Sequence, residues 1–452
     1  ATGGPAGMYA TSVYPESQTG ATGLALEAGV KGKNLTESQY GLASIKFRWN
    51  LSGSYQQVLP RYVSTKPDGS DEKEFLNEYF EDPGKMLDAV FLKGYQWPFD
   101  PGKVQNYSSS LIDILVYNET VNKGRRVWLD FTKNPEAASN NKELDFSLLG
   151  EESYQYLDNS NILFGTPIER LSKMNQPAID LYKENGIDLN QELLEIDVCA
   201  QHNNGGLKGN LWWESNIEHF FPVGEVNGSH GIHRPGGSAL NSGQVGSARA
   251  ARYIAGRYTQ SPETISDFLN KVRAQVQEKI KLGESFTESG NMSVDKIRNK
   301  IGQRMTSSGA HIRSYSSSSK AIKNAYKDLK NISINTELKN IRELGKAFKN
   351  YDLLIAQYVY LSAIKNYIEK GGQSRGSYLI YDEKGKLPDG NLEEKFRFSL
   401  TDESFHDKIQ ISTYTGKDNT CNFKWRQIRP IPEDDSWFEN VWNDFRNDGI
   451  VY

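Results

Sequence analysis

The residues best suited to chemistry lie in a glycine-rich stretch, 199–251, which holds four of the six histidines of the chain. Glycine at this density costs folding entropy, so it usually marks backbone that approaches another group closely. Within the stretch, His202 and Arg234 are the side chains that are candidates to face a bound molecule. We therefore interpret 199–251 as a cofactor cradle in which His202 and Arg234 face a substrate.

These side chains also have structural interpretations. His202 could bond to nearby backbone in its glycine-rich surroundings, whereas Arg234, beside Pro235 and two glycines, is harder to explain by structure alone. His230 and His233 are better interpreted as loop and supporting groups than as catalysts.

Three elements are predicted to position the stretch. A strand over 196–200 leads into it, a short strand over 220–223 crosses it, and a run of small residues at 246–251 opens a helix. The first amide groups of a helix have no partner within the helix, so they can face an anion or a polarised ring.

The first thirty residues contain a weak motif. Gly3, Gly4 and Gly7 look like a dinucleotide-binding fingerprint, but that motif needs a preceding apolar strand and an acidic residue about twenty positions on. No strand precedes these glycines, and 20–29 is instead predicted to be a short helix of small residues. Both interpretations of the cluster stay open.

The rest of the chain divides by periodicity. Strands are predicted where Ile45, Phe47 and Trp49 alternate with polar residues and over 126–130, with helices over 84–92, 103–123 and 190–194 and a polar loop over 134–164. Helical spacing then covers 262–282, 294–306, 320–331 and 336–370. Strands follow over 377–382, 396–400 and 409–414, and a helix over 437–445 closes the chain.

Composition limits the class of protein. The 452 residues carry a net charge of −4, so a broad attraction to nucleic acid is not expected. No apolar run is long enough to span a membrane. Two cysteines make no disulfide framework, which favours a reducing, cytoplasmic location. No metal-ligand spacing occurs, so no metal is predicted.

Three motifs occur in order: His202-Asn-Asn-Gly-Gly206, Phe221-Pro-Val-Gly-Glu225 and His230-Gly-Ile-His-Arg-Pro-Gly-Gly-Ser-Ala-Leu-Asn241. Together they resemble the flavoprotein subunits of succinate dehydrogenases and fumarate reductases, a family that includes L-aspartate oxidase. The resemblance implies an α/β fold, α+β overall, in which a split FAD-binding domain receives an inserted capping domain. The implied divisions are 1–36 and 196–258 for the FAD-domain segments, 37–195 for the α+β capping domain, 259–375 for a helical domain and 376–452 for a strand-rich region.

The resemblance also implies an FAD-dependent oxidoreductase that transfers hydride between flavin and a carboxylate-bearing small molecule. Arg234 would grip the substrate carboxylate, His202 would donate a further hydrogen bond, and Glu225 would bind hydroxyls of the flavin's sugar chain. The other implied FAD-binding residues are Ala1, Thr2, Gly3, Gly4, Gly205, Gly206, Gly224, Ser238, Ala239, Leu240 and Asn241.

Several departures from the family pattern narrow this expectation. Nothing corresponds to its pyrophosphate-binding N-terminal unit, so an upstream segment or a second chain is expected to complete the FAD site. The family's His-Pro-Thr motif is replaced at 42–44, and Lys93 stands where the resemblance places a catalytic arginine. Lysine offers a point charge instead of a fork, which argues against a plain C4 dicarboxylate.

Two functions therefore remain. The first is an FAD-linked oxidoreductase with an electron-transfer partner. The second is a flavin-free relative that kept the scaffold as a binding or interaction protein.

Overall fold

The computed structural model describes residues 3–16, 21–234, 236–288, 290–416, 418–428 and 436–448. Ala1 and Thr2, both predicted to contact FAD, lie outside these residues. The architecture mixes helices with small open sheets, as the predicted α+β class requires. The domain boundaries stay predictions, and one strand, β7, runs across the predicted division between 195 and 196.

The helices are Thr22–Glu27 (α1), Ser54–Gln57 (α2), Pro83–Leu92 (α3), Ser109–Tyr117 (α4), Glu151–Asn159 (α5), Pro167–Glu184 (α6), Ser238–Arg257 (α7), Ile265–Ser285 (α8), Val294–Gly309 (α9), Tyr315–Lys330 (α10), Ile332–Asn335 (α11), Leu344–Glu369 (α12), Glu403–His406 (α13) and Trp437–Asp448 (α14).

The strands are Gly32–Lys33 (β1), Ser38–Ser44 (β2), Arg61–Thr65 (β3), Arg126–Asp130 (β4), Ser139–Asn140 (β5), Glu143–Leu144 (β6), Leu194–Asn203 (β7), Gly206–Leu207 (β8), Met292–Ser293 (β9), Ile312–Arg313 (β10), Thr336–Glu337 (β11), Leu379–Lys386 (β12), Lys408–Thr415 (β13) and Thr420–Gln427 (β14).

An antiparallel sheet in the order β2-β7-β4-β3 lies in the region predicted to be the capping domain, called the capping unit below. Every residue of β2 and β3 is buried, as expected of strands covered on both faces. Helix α4 packs against β7 and α3 through a nearly continuous apolar sequence, Leu111 to Val116. Helix α3 begins where Asp82 accepts hydrogen bonds from two backbone amides and Pro83 occupies the first helical position, both common helix-start devices.

A second sheet, in the order β14-β13-β1-β8, joins segments that are far apart in the chain. β1, near the N-terminal end, pairs with both β8 and the C-terminal β13. The predicted C-terminal region therefore contributes strands to the sheet that carries the N-terminal segment.

Helix α12 is the centre of the helical part. Its buried side chains pack against α1, α9 and α10. Helix α1 approaches it closely at Gly23, where a Cβ atom would lie 2.0 Å from the carbonyl oxygen of Asp352. The predicted helices of this part are confirmed as α8, α9, α10 and α12, with shifted ends.

Several local predictions are wrong. The alternation at 45–49 is a loop, because the hydroxyl of Ser44 bonds to the carbonyl of Phe47 and the rings of Phe47 and Trp49 stack with centroids 6.0 Å apart. Residues 190–193 form turns and not a helix, since the Asp188 carboxylate accepts the Asn190 amide and so competes with helix formation. The loop over 134–164 contains α5, whose first turn carries two acidic residues.

The C-terminal predictions are partly wrong. Residues 397–400 form only isolated bridges, through Phe398 and Leu400, although 409–414 is confirmed within β13. Strand β14 was not predicted, although Cys421, Phe423 and Trp425 alternate with polar residues along it. The closing helix is present as α14.

Candidate functional site

A cavity of about 900 Å³ lies where the end of β7 meets the loop before α7 and the first turns of α7. Its volume falls within the roughly 300–1,000 Å³ typical of small-molecule and cofactor sites. The walls are formed by Tyr14, His202, Gly224, Glu225, Arg234, Gly237, Ala239, Leu240, Gly243, Gln244 and Ser247. The structure therefore brings together His202, Glu225 and Arg234, which the sequence predicted as one site.

An irregularity in the capping sheet positions His202. Along β2 and β7, Gln39 pairs with His202 but Tyr40 pairs with Ala200, so Gln201 is an extra residue on β7. Such a bulge bends the strand and re-aims the side chains that follow it. His202 consequently lies at the cavity wall beside Gln39.

The carboxylate of Glu225 is held by three donors. His202 Nδ1 lies 2.8 Å from Oε2, while the backbone amides of Asn203 and Gly4 donate to Oε1 at 3.1 Å and 3.4 Å. Burial by itself would raise the pKa of Glu225, but the bonds from His202 and the two amides outweigh it and lower the pKa. Glu225 is therefore an anion that fixes the ring of His202 and leaves Nε2 for another partner.

Arg234 is the third charged side chain of the cavity wall. Its Nε and one terminal nitrogen donate to Oε1 of Gln39 at 3.1 Å and 2.9 Å. Burial lowers the pKa of Arg234, although Glu225 opposes the shift. Because Gln39 is the register partner of His202, this contact places the guanidinium beside the imidazole.

Helix α7 begins at the cavity. The predicted start at 246 is wrong: the helix starts at Ser238, after Gly237 in the left-handed conformation (φ +76°), and runs for 20 residues. Gly246 serves packing instead, since a Cβ there would lie 2.0 Å from the indole of Trp213. Ala239 and Leu240 line the cavity, whereas the neighbouring Ser238 and Asn241, also predicted to contact the cofactor, are not among its wall residues.

The remaining predicted glycines differ in what they do. Gly224 lines the cavity, with φ at +86°, a conformation that favours glycine. Gly205 and Gly206 are buried where the backbone crosses itself: a Cβ on Gly205 would lie 1.7 Å from the carbonyl oxygen of Asn34. Gly4 packs on the side chain of Asn203, and Gly3 is half-buried beside it.

The segment 220–223, predicted as a strand, is a loop before Gly224. It forms no ladder because the Asn227 side chain bonds to the carbonyl of Pro222 and turns the chain there.

Lys93 does not join the other predicted catalytic residues. Its side chain is fully buried within the capping unit, where Nζ lies 2.7 Å from Oδ2 of Asp113 and 2.8 Å from the carbonyl oxygen of Trp97. Burial lowers the pKa of Lys93, and burial raises the pKa of Asp113 to about 6. Lys93 is therefore part of a fully buried ion pair and does not line the cavity.

Several residues of the site were not predicted. Gln39 reaches the site only through strand pairing, because it is the register partner of His202. Tyr14 had no sequence signal, because only tertiary packing brings its ring to the site, where the centroids of the Tyr14 and His202 rings are 6.1 Å apart. Gln244 and Ser247 follow from the earlier start of α7, which brings its second and third turns to the cavity.

The donor set fits the flavin end of FAD. It combines a helix N-terminus, a fixed carboxylate, a histidine and an arginine around a cavity of suitable volume. Within the described ranges, no strand is followed by a glycine turn and a helix in the arrangement that holds a pyrophosphate. No cluster of metal-ligating side chains occurs among those residues either. None of the helices in the described part of the chain is both long and apolar enough for a bilayer span.

Comparison with known proteins gives relatives in sequence and in fold. One of the chains of the fumarate reductase (CoM/CoB) of Methanothermobacter marburgensis is 29% identical over 160 residues, which is 35% of this chain and 27% of that protein. No family model matches the chain.

Solved structures match most of the chain. A quinol-fumarate reductase with menaquinol molecules has a TM-score of 0.60 at 18% identity, covering 96% of this chain and 67% of that one. Mycobacterium smegmatis Sdh1 with UQ1 gives 0.61 at 14%, covering 99% and 64%. Adenylylsulfate reductase of Archaeoglobus fulgidus gives 0.52 at 11%, covering 96% and 67%. The chain thus spans about two thirds of these solved chains and about a quarter of the sequence relative.

Proposed function

We propose that this chain, a relative of the fumarate reductase and succinate dehydrogenase flavoproteins, carries the flavin and substrate side of an FAD-dependent oxidoreductase. The observation that carries the proposal is the single cavity in which His202, Glu225, Arg234 and the start of α7 meet. The substrate is a carboxylate-bearing organic molecule, and an electron-transfer partner completes the cycle, in line with a sequence relative that is itself one component of a multi-chain reductase.

Each group has a distinct role. The amides at the start of α7 would face the flavin ring and stabilise negative charge on it, because a helix N-terminus carries a partial positive charge. Bound FAD supplies hydride transfer, and the protein supplies binding and orientation. Arg234, held by Gln39, would bind the substrate carboxylate through its planar fork.

The Glu225 carboxylate holds the His202 ring in one orientation. Since Nδ1 of His202 faces the Glu225 carboxylate at 2.8 Å, Nε2 is the atom that can bond to substrate. A carboxylate behind a histidine fixes its tautomer and stabilises its charged form. Glu225 is therefore a positioning residue for His202, whose ring and two backbone amides bond to its oxygens, and its predicted contact with sugar hydroxyls of the flavin stays part of the proposal.

The replacement of the family's cap motif at 42–44 favours the second candidate function. A flavin-free relative would keep the same internal network as scaffold and use the cavity to bind a carboxylate without redox chemistry. Flavin content decides between the two.

The test starts with the protein purified together with its natural partners. We expect absorbance in the flavin bands and release of FAD on denaturation. A colourless protein that takes up no FAD on reconstitution contradicts the oxidoreductase proposal.

A variant then tests the site. Arg234→Ala should abolish turnover with a reduced viologen donor and a panel of unsaturated carboxylates, with flavin content unchanged. The control, Arg257→Ala, removes an exposed arginine from the last turn of α7 and should retain turnover. Unaltered kinetics in Arg234→Ala would remove Arg234 from the substrate site.

A further inference from the structure

Tyr14 places a phenol on the wall of the candidate cavity. The side chain is half-buried, and the centroid of its ring lies 6.1 Å from that of His202. Within the described part of the chain, the backbone amide of Tyr14 donates to the hydroxyl of Ser12, but no group bonds to the phenol. Tyrosine hydroxyls away from bulk water usually have a partner. The phenol is therefore available to a molecule in the cavity.

The backbone before Tyr14 is fixed to strand β7. The Ala200 amide donates to the carbonyl oxygen of Thr11 at 2.9 Å, and the Val13 amide donates to the carbonyl oxygen of Ala200 at 3.0 Å. Ala200 lies two residues before His202 on the same strand. This pairing holds Tyr14 beside His202 in a defined position, which a group that acts on a substrate requires.

The other proton donors of the wall have different roles under the proposed function. Arg234 would bind the substrate carboxylate, and His202 would add a further hydrogen bond to the substrate. The Ser247 hydroxyl donates to a backbone carbonyl of its own helix at 2.7 Å. Lys93, which was predicted to be catalytic, does not reach the cavity. The phenol of Tyr14 is thus the acidic donor that this arrangement leaves unused among the described wall residues.

We propose that Tyr14 donates the proton when the double bond of an unsaturated carboxylate is reduced in this cavity. The inference rests on the proposed function and adds a catalytic residue to it.

The reduction adds one hydride and one proton to the substrate. One carbon of the double bond accepts the hydride, which bound FAD supplies after reduction by the electron-transfer partner. The electron pair of the double bond then forms a C–H bond at the other carbon with the phenolic proton, and the O–H bond of Tyr14 breaks. The tyrosinate takes a proton from solvent, which restores the donor.

The surroundings of the ring suit this role. Three titratable groups lie around it: His202 on β7, Glu225 after Gly224 and Arg234 before α7. Burial raises the pKa of Tyr14 above its ordinary value, Glu225 raises it further, and Arg234 opposes both. The phenol therefore keeps its proton at neutral pH, and the nearby guanidinium stabilises the tyrosinate that forms when the proton leaves.

Removal of the hydroxyl is the first test. Tyr14→Phe keeps the ring and should lower turnover of the unsaturated carboxylates about 10²- to 10⁴-fold, the usual contribution of a general acid. Flavin content should not change, nor should the affinity for the saturated product, measured by calorimetry. The matched control is Tyr154→Phe, at an exposed position on α5, which should retain turnover. Each variant is purified together with its natural partners.

Fluorinated tyrosines distinguish proton donation from a structural role. Either 3-fluorotyrosine or 3,5-difluorotyrosine at position 14 keeps the shape of the ring, and each fluorine lowers the pKa of the phenol. Turnover requires the protonated phenol, so its decline at high pH should move to lower pH with each added fluorine. Fluorine NMR of the same proteins, recorded without turnover, should show the phenol ionising over the pH range in which activity is lost. The same replacements at position 154 should leave the pH profile unchanged.

The outcomes separate this inference from the proposed function. Full turnover in Tyr14→Phe, or a pH profile that does not move with the fluorines, overturns the role of Tyr14. If turnover and product affinity fall together and the pH profile stays fixed, Tyr14 only shapes the wall, which also overturns it. In these cases a flavin-containing protein leaves the oxidoreductase standing, whereas a flavin-free protein refutes both proposals.

Discussion

Two clusters of charged residues, the cavity wall and the interior of the capping unit, contain all three side chains predicted to be catalytic. In the cavity, His202 and Glu225 are bonded to each other but keep 20% and 12% of their side-chain surface exposed. In the capping unit, Nζ of Lys93 lies 2.7 Å from Oδ2 of Asp113, and neither side chain has any exposed surface. A charged pair can act on a ligand only where the fold leaves one of its donors accessible. Of these two pairs, only His202–Glu225 meets that condition.

The largest effect is expected from opening the closed pair. Asp113→Ala leaves the ammonium of Lys93 buried without its carboxylate, which should cost about 3–5 kcal/mol of unfolding free energy in urea. FAD retention by the folded fraction should not change. The double variant Lys93→Met, Asp113→Leu should recover most of the stability, because well-packed apolar residues often replace a buried ion pair without loss. Turnover lost at full stability would instead place Lys93 in the reaction.

The next effect concerns the fork of Arg234. Arg234→Lys keeps the charge but loses the geometry, so turnover should fall about 10- to 100-fold, the equivalent of one charged hydrogen bond of about 1.5–3 kcal/mol. Steady-state kinetics at saturating donor measures it, with Arg257→Lys as the matched control. Retention of full turnover in Arg234→Lys would mean that a point charge suffices.

The contributions of Glu225 and Asp113 to the free energy of unfolding should depend on pH in opposite directions. The folded pKa of Glu225 is lowered, so its contribution to stability is present above about pH 4.5 and is lost as pH falls through the folded pKa. The pKa of Asp113 is raised to about 6, so the folded state binds more protons and stability declines as pH rises from about 4 to 6. Urea unfolding across pH 3–8 measures both trends.

The variants sharpen this contrast. Glu225→Gln should remove the loss of stability on the acid side, and Asp113→Asn should remove the decline between pH 4 and 6. If both variants change stability over the same pH range, Glu225 and Asp113 do not titrate in opposite directions, and the contrast between the two clusters is wrong.

The smallest effect is expected at Gln39. Gln39→Met keeps the side-chain volume but removes the acceptor for Arg234, a loss of about 0.5–1.5 kcal/mol in positioning. KM for the carboxylate substrate should rise about 3- to 10-fold with little change in kcat. A fall in kcat alone would indicate that Gln39 acts on the reacting atoms.

Much of the fold could be predicted from periodicity. The long helices of the second half and the strand at 126–130 have strong, regular patterns, so their existence was clear although their ends were not. Predictions failed where a single side chain redirected the backbone. Ser44 closes the loop at 45–49, and Asp188 turns the chain before Leu194, and neither effect leaves a periodic signal.

The candidate site was predictable in part. His202, Glu225 and Arg234 stand in short motifs within 33 residues of each other, so local sequence was enough to group them. Gln39 and Tyr14 come from distant segments, and only strand pairing and packing bring them to the cavity.

Sequence by itself determined the mixed α and β composition, the amphipathic helices and the motif residues of the cradle, because these depend on neighbours within a few positions. Tertiary structure decided which charges stay accessible. Lys93 is enclosed by Asp113 from α4, whereas His202 is turned to the cavity by a bulge opposite Gln39. Burial depends on elements far apart in the chain, and so no local pattern distinguishes a lysine that holds a domain together from one that meets a ligand.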